Sequence, residues 1–278
     1  MNYIDVSVVL NQINLKPKKS LGQNFLTCKN VLHKIISLSE ISKEDIVLEI
    51  GPGLGTITEE IAKRAKKVYA VEIDSILSKY LSEKLSKYSN IEIINENILN
   101  INLPKHNKVI SNIPYTITGP IFEKVFFKKN PPIGVLIIEK SITNRIFYSN
   151  DYKKFSRISI GVNAYLQPTL RLSIPRSSFY PVPKIDLSLI KLLPKEDLQP
   201  FLIERESGEF FLKFIAGIMP YKNKNLVNAL FLYFKVNKEY NYDKSEIVQI
   251  INENGFKNEK LFNFKIEEII EISRLFYK

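Results

Sequence analysis

A single cysteine, Cys28, stands in a chain of 278 residues that has no tryptophan and only two histidines, His33 and His106. One cysteine builds no internal disulfide framework and no Cys-rich zinc site, and it fits a reducing compartment. Two histidines are too few for most histidine-based metal chemistry, so no metal is expected. No apolar run approaches the roughly 18 residues needed to span a bilayer, so no membrane partner is expected. The first apolar residues contain Asp5 and are followed by Lys16, Lys18 and Lys19, the reverse of a signal peptide. What remains is ample: 45% hydrophobic and 11% aromatic residues exclude a disordered polycation. The expectation is a soluble, cytoplasmic, monomeric globular protein.

Forty bases against 29 acids give a net charge of +11, and the excess is concentrated. Residues 16–34 carry Lys16, Lys18, Lys19, Lys29 and Lys34 with no acid. Residues 140–191 carry Lys140, Arg145, Lys153, Lys154, Arg157, Arg171, Arg176, Lys184 and Lys191 against Asp151 and Asp186. The rest of the chain is close to neutral. Charge clustered in this way reads as a footprint for a polyanion, with nucleic acid the first candidate. The alternative is lysine that merely solvates helix faces.

Apolar patterning gives a coarse organisation. Residues 46–50 form a short buried-strand run that ends at Gly51. A helix is expected over 56–65, a strand over 67–72, a helix over 75–88, and strands over 91–94 and 108–111. A helix over 119–127 and a strand over 133–138 follow. Such alternation implies an α/β fold, a parallel sheet with helices on both faces. Residues 169–174 and 187–193 read as strands flanking the Pro-rich turn Phe179-Tyr-Pro-Val-Pro-Lys184, an antiparallel pair closing the sheet edge. Polar, Pro-bounded residues 194–200 form a linker. Amphipathic helices are expected over 206–219, 225–235, 244–253 and 265–276. Two domains result: 1–195, α/β and catalytic, and 196–278, small and helical. The tail's Phe210, Phe211, Phe214, Phe231, Tyr233 and Phe234 read as core.

Glu49-Ile-Gly51-Pro-Gly53-Leu-Gly55 lies where the first strand turns into a helix. Glycines there let the backbone approach a ligand and adopt torsions that a side chain forbids. The G-x-G-x-G spacing is not the G-x-G-x-x-G of dinucleotide enzymes, and no P-loop Lys-Ser/Thr follows. Glu72 ends the second strand, 21 residues after Gly51. In such sheets a carboxylate there accepts hydrogen bonds from the ribose hydroxyls of an adenosine cofactor. Without diphosphate-type spacing, the favoured ligand is phosphate-free, such as S-adenosylmethionine.

Asn112-Ile-Pro114-Tyr115 ends the fourth strand, and strand C-termini are where open α/β sheets bind ligands. Its residue types suit one reaction. An exocyclic amine on an aromatic base is a poor nucleophile, because its lone pair is delocalised into the ring. The Asn112 side-chain oxygen and a backbone carbonyl near Pro114 can bind the two amino hydrogens. That favours the pyramidal amine and aims its lone pair at a methyl donor. Tyr115 can stack on the base. No general base is required before transfer.

Taken together, Lys19-Ser-Leu-Gly-Gln23-Asn24-Phe-Leu26, Leu48-Glu-Ile-Gly51-Pro-Gly-Leu-Gly55, Val71-Glu72-Ile-Asp74, Ser111-Asn-Ile-Pro-Tyr115 and Phe179-Tyr-Pro-Val-Pro-Lys184 resemble the small-subunit rRNA adenine dimethyltransferases, the kasugamycin-sensitivity family. The resemblance covers residues 16–193. It implies a Rossmann-like, seven-stranded S-adenosylmethionine methyltransferase sheet with a small C-terminal helical domain. It also implies dimethylation of two adjacent adenines near the 3′ end of small-subunit rRNA, with the assembling 30S-type subunit as partner. By position, Asn24, Leu26, Gly51, Glu72 and Asn112 match cofactor-contacting residues. Asn112, Pro114 and Tyr115 match the catalytic loop, and Phe179 matches an aromatic that stacks the target base. Gln23 and Gly53 join the expected cofactor set.

Three positions depart from the family pattern. Asn97-Ile-Leu99 replaces the usual Asp-x-Leu whose Asp meets the cofactor's adenine amine; the Asn97 oxygen can still accept that bond, without charge assistance. Glu139-Lys-Ser lacks a Glu expected after the Lys, and Phe155-Ser-Arg157 has Ser where Gly is usual. Two other functions compete: a large-subunit rRNA adenine methyltransferase, and a non-enzymatic nucleic-acid-binding factor of the same fold.

Overall fold

The sheet that organises this protein grows from apolar runs too short for helices. The computed structural model describes residues 5–147, 155–237 and 242–277. Nine strands are assigned among them: β1 (Phe25–Leu26), β2 (Ile46–Ile50), β3 (Lys67–Val71), β4 (Ile91–Ile94), β5 (Lys108–Asn112), β6 (Ile133–Glu139), β7 (Leu166–Ile174), β8 (Phe179–Tyr180) and β9 (Leu187–Pro194). Seven form one sheet in the order β4-β3-β2-β5-β6-β9-β7. The pairs from β4 through β6 are parallel, while β9 runs antiparallel to β6. Helices cover both faces, giving the expected α/β fold. Val47, Leu48, Val68, Val109 and Ile137 are fully buried, as strands covered on both faces require.

The strand order reverses between β2 and β5. The chain leaves β2 toward β3 and β4, then returns to build β5 and β6 on the other side. Just beyond the C-terminal ends of two such strands lies a crevice, and this is where open sheets bind ligands. The register aligns those ends. Ile50 pairs with Val71, so Gly51 and Glu72 leave the sheet side by side. The Gly51 N–H donates to the Val71 carbonyl at 2.9 Å.

The described residues fall into two compact units. The first holds the sheet: Met1–Phe126, Pro131–Thr143 and Gln167–Pro194. The second holds Phe127–Asn130, Asn144–Leu166 and Lys195–Lys278.

In the sheet unit the N-terminal segment, here the leader, carries a helix of its own. Asp5 caps a short helix, α1 (Val6–Gln12), by accepting from the Ser7 and Val8 N–H groups. Val6, Leu10 and Leu15 bury against Phe25, Leu54 and Leu77. Helices α2 (Lys29–Ser39), α3 (Thr56–Ala62), α4 (Ser75–Lys84) and α5 (Thr118–Phe126) complete the layers. Strands β1 and β8 form a separate antiparallel pair, Phe25 opposite Tyr180 and Leu26 opposite Phe179. That pair joins the leader to the Pro-rich turn.

In the second unit a Ser156–Ser159 capping box starts the helix Arg157–Tyr165. The tail contributes Arg205–Ile218, Leu226–Val236, Lys244–Glu253 and Ile266–Leu275. Phe211, Phe214, Phe234 and Phe276 are buried there, so the tail's aromatic residues make its core. No helix among the described residues is long and apolar enough to cross a membrane.

Candidate active site

At the reversal point the glycine turn and the acid it was paired with by spacing meet directly. Gly51 and Gly53 hold φ of 67° and 60°, left-handed values that glycine tolerates and other residues resist. This conformation turns the Gly53 N–H onto Glu72 Oε2 at 3.1 Å. Glu72 Oε1 accepts from the Asp74 N–H at 3.0 Å. Glu72 is only 4% exposed. Burial pushes its carboxyl above the ordinary value, and the two N–H donors pull the other way. Glu72 therefore builds the turn as well as facing the cleft.

That cleft has about 850 Å³ of free space, part of it open to solvent. Gln23, Asn24, Gly51, Gly53, Glu72, Asn97, Asn112 and Pro114 all line it. Its ionisable lining consists of Glu72 and Glu96; among the described residues, no lysine or arginine lines it. Two carboxyl groups with no base would repel a diphosphate and suit a cationic, phosphate-free ligand. S-adenosylmethionine fits that description, carrying positive charge and a ribose but no phosphate.

The leader closes one side. Lys18 Nζ reaches Asp74 Oδ2 at 2.8 Å, and Gln23 Nε2 donates to the same oxygen at 3.1 Å. Gln23 Oε1 accepts from the Lys18 N–H at 2.8 Å, so this amide stitches the strap at both ends. Burial raises the Asp74 carboxyl, but Lys18, Gln23 and the Ile76 N–H outweigh it and hold the group below its usual range. Lys18 is thus committed to an ion pair and does not belong to a free polyanion surface.

Asn112 at the end of β5 is oriented by its own amide. Nδ2 donates to the Asn24 carbonyl at 3.0 Å, which leaves Oδ1 as the outward acceptor. The Tyr115 hydroxyl lies 3.5 Å from that oxygen. Burial pushes the Tyr115 phenol far up, so it stays neutral. The Pro114 carbonyl accepts from the Ile117 N–H at 3.2 Å and keeps a second lone pair. The two acceptors that the chemistry needs therefore sit on one loop.

Asn97 Oδ1 accepts from the Leu99 N–H at 3.0 Å, and Lys124 Nζ donates to the Leu99 carbonyl at 2.7 Å. This clamp fixes the loop where the family pattern has Asp. Three expected residues do not line the cleft: Tyr115, half-buried against the core, Leu26 and Phe179. Leu26 is buried in the core, opposite Phe179. Phe179 itself is 2% exposed and packs in the same core cluster, whereas the neighbouring Tyr180 is 43% exposed.

Glu49, Lys124 and the Lys18–Asp74 latch were not singled out from sequence. An acid inside an otherwise apolar strand run was the available signal for Glu49. Lys124 is an ordinary lysine in sequence and nothing marked it, while Lys18 counted only as one base of the stretch 16–34.

Of the basic stretch, Lys191 pairs with Glu40 at 2.9 Å and Arg176 approaches Asp186 at 3.7 Å. Lys140, Arg145, Arg157, Arg171 and Lys184 are exposed. Lys153 and Lys154 lie outside the described residues. Among the described residues no cluster of three or more His, Cys, Asp or Glu residues could hold a metal ion.

The family profile described as ribosomal RNA adenine dimethylase matches residues 14–270. The ribosomal RNA small subunit methyltransferase A of Leuconostoc mesenteroides is 36% identical over 233 residues, covering 80% of this chain and 78% of that protein. The Bacillus pumilus protein of the same name is 32% identical over 281 residues, covering 97% and 94%. The crystal structure of a dimethyladenosine transferase from Plasmodium falciparum superposes with a TM-score of 0.73 at 24% identity, covering 89% of this chain and 95% of that one. That last likeness is one of fold.

Proposed function

Because the chain belongs to the ribosomal RNA adenine dimethylase family, we propose that it dimethylates the exocyclic amines of two adjacent adenines near the 3′ end of small-subunit rRNA, using S-adenosylmethionine. The assembling small ribosomal subunit is its partner. The observation that carries this reading is the cleft itself: a glycine turn over Glu72, no lysine or arginine among its described lining, and beside it Asn112, whose Oδ1 accepts only a long hydrogen bond from the Tyr115 hydroxyl and keeps a lone pair.

When bound, the cofactor supplies an electrophilic methyl group. Glu72 takes the ribose hydroxyls and keeps the glycine turn in shape through Gly53. Asn97 accepts from the cofactor's adenine amine. The strap through Gln23 and Asn24 covers the ligand and excludes water. Asn112 Oδ1 and the Pro114 carbonyl each take one hydrogen of the target amine, which draws its lone pair out of the ring and aims it. They also face the positive charge that grows on nitrogen as the bond forms. The amine becomes acidic only once alkylated, so its proton leaves to solvent without a dedicated base. The Tyr115 ring, neutral and half-buried, offers the extruded base a stacking surface. Phe179 needs to be uncovered before it can contribute a second one.

Exposed bases such as Arg145 and Arg157 contact RNA phosphates, which position the substrate without carrying chemistry. The test is transfer of labelled methyl from S-adenosylmethionine to small-subunit particles from a strain lacking this modification, with the modified bases mapped by primer extension. Two adjacent adenines near the 3′ end are expected. Methylation of large-subunit RNA instead, or RNA binding with no transfer, would overturn the reading.

A further inference from the structure

Glu49 is a carboxyl for which the reaction above has no task. It sits inside β2, 1% exposed, two residues before the glycine turn. Its buried Oε2 makes no well-formed hydrogen bond; the Thr58 hydroxyl beside it favours the ionised form but satisfies neither group. A buried acid in this condition is costly to ionise and needs an explanation.

The side chain borders a small chamber of about 330 Å³ of free space, part of it open to solvent, with Asn24, Gly51, Gly53 and Asn112 among its walls. Those four residues also line the cofactor cleft, so the chamber adjoins it. Among the described residues, every other group that lines the chamber beside Glu49 is neutral. From β5 comes the Asn112 amide, from the strap Asn24, and from α3 the Thr58 hydroxyl. On the same helix, Glu59 is turned to Lys87 and Tyr88, and Glu60 to Lys63 and Arg64. Beyond β3 stands Glu72, a like charge. The lysine from α4, Lys84, is committed to the Leu54 carbonyl at 2.7 Å. Among the described residues no base lines the chamber.

We propose that Glu49 is a proton-coupled counter-charge for the cofactor: neutral while the cleft is empty, it ionises when the cofactor's positive charge arrives. The O–H bond breaks, the electron pair stays on the carboxylate, and the proton passes to solvent. This rests on S-adenosylmethionine being the ligand. Burial, opposed by Thr58 and reinforced by Glu72, pushes the empty-state carboxyl up to about 8. Such a group escapes the cost of a permanently buried anion, and its charge appears only when a cation is there to meet it.

The experiment is calorimetric titration of the protein with S-adenosylmethionine at pH 7 in buffers of different ionisation enthalpy. The dependence of the observed heat on the buffer gives the protons released. With the carboxyl at about 8 in the empty protein, close to one proton per site is expected, falling toward none above pH 9. Glu49→Gln should release none. 5′-Methylthioadenosine, the same nucleoside without sulfonium or ammonium, should bind without release. In parallel, difference infrared spectra of the wild type should lose a protonated-carboxyl band on adding S-adenosylmethionine, a readout that survives if Glu49→Gln fails to fold. Binding of S-adenosylmethionine with no proton release overturns the role of Glu49 and leaves the methyltransferase reading intact. Release that persists in Glu49→Gln, or that 5′-methylthioadenosine also produces, overturns it equally. Failure of S-adenosylmethionine to bind at any pH overturns both.

Discussion

Asn112→Ala is the substitution that most cleanly separates aligning the amine from binding the partners. The Asn112 side chain donates one hydrogen bond, to the Asn24 carbonyl at 3.0 Å, and offers Oδ1, which the Tyr115 hydroxyl reaches at 3.5 Å, as an acceptor beside the cleft. Losing the first costs stability on the order of 1 kcal/mol, within what a folded domain tolerates. Losing the second removes one of two acceptors aimed at the developing charge. Preorganised groups of this kind are worth about 2.7–4 kcal/mol, a factor of about 10²–10³ in rate. The assay is single-turnover methyl transfer to unmethylated small-subunit particles at saturating cofactor and RNA. The expected outcome is a loss of at least about a hundredfold in rate, with RNA affinity and its salt dependence unchanged. Asn112→Asp keeps an oxygen for the amine but replaces the Nδ2 donor with a second oxygen facing the Asn24 carbonyl, so it should not rescue the rate. A variant within about tenfold of wild type, some 1.4 kcal/mol, would refute the alignment argument.

Glu72→Ala should weaken S-adenosylmethionine binding by about 1–3 kcal/mol, the scale of hydrogen bonds to a charged group, and calorimetry reads this directly. Because Glu72 also accepts from the Gly53 and Asp74 N–H groups, urea unfolding should show lost stability as well; lowered stability with unchanged affinity would make Glu72 a builder of the turn only. Asn97→Asp should keep or raise activity, since a carboxylate accepts from the Leu99 N–H equally well and adds charge for the cofactor's adenine amine. A loss of more than about tenfold would show that the site is arranged differently. Neutralising Arg145, Lys153 and Arg157 together should flatten the logarithmic salt dependence of RNA binding by about 0.7–0.9 per lost phosphate contact, while single-turnover transfer at saturating RNA persists. An unchanged slope would make these bases ordinary solvated surface.

Much of the site could be read in advance because its parts are local in a βαβ sense. Gly51 and Glu72 are 21 residues apart in sequence. A strand, a helix and a parallel strand of ordinary length bring them together in register, whatever else the chain does. Asn112 follows from the same rule, applied to the strand on the other side of the reversal. Patterning also placed the edges of β2 and β4 at their observed residues, since short apolar runs bounded by polar ones have little freedom. By contrast, the helix Arg157–Tyr165 gives no sign in the linear pattern that it clusters with the tail rather than with the sheet.

Residue types and their spacing were enough to determine the α/β class and the glycine turn with its acid, and to propose the Asn-Ile-Pro-Tyr chemistry. Each depends on backbone geometry that repeats from one parallel sheet to the next. Only the tertiary structure decided which side chains are already taken. It put Lys18 on Asp74, 56 residues away, and so removed it from the basic footprint. It paired Leu26 with Phe179 and buried that ring. It also left Glu49 inside the sheet with an unanswered oxygen. These outcomes hang on desolvation and on contacts between distant segments. Both are properties of where the chain finally packs, and no local pattern encodes them.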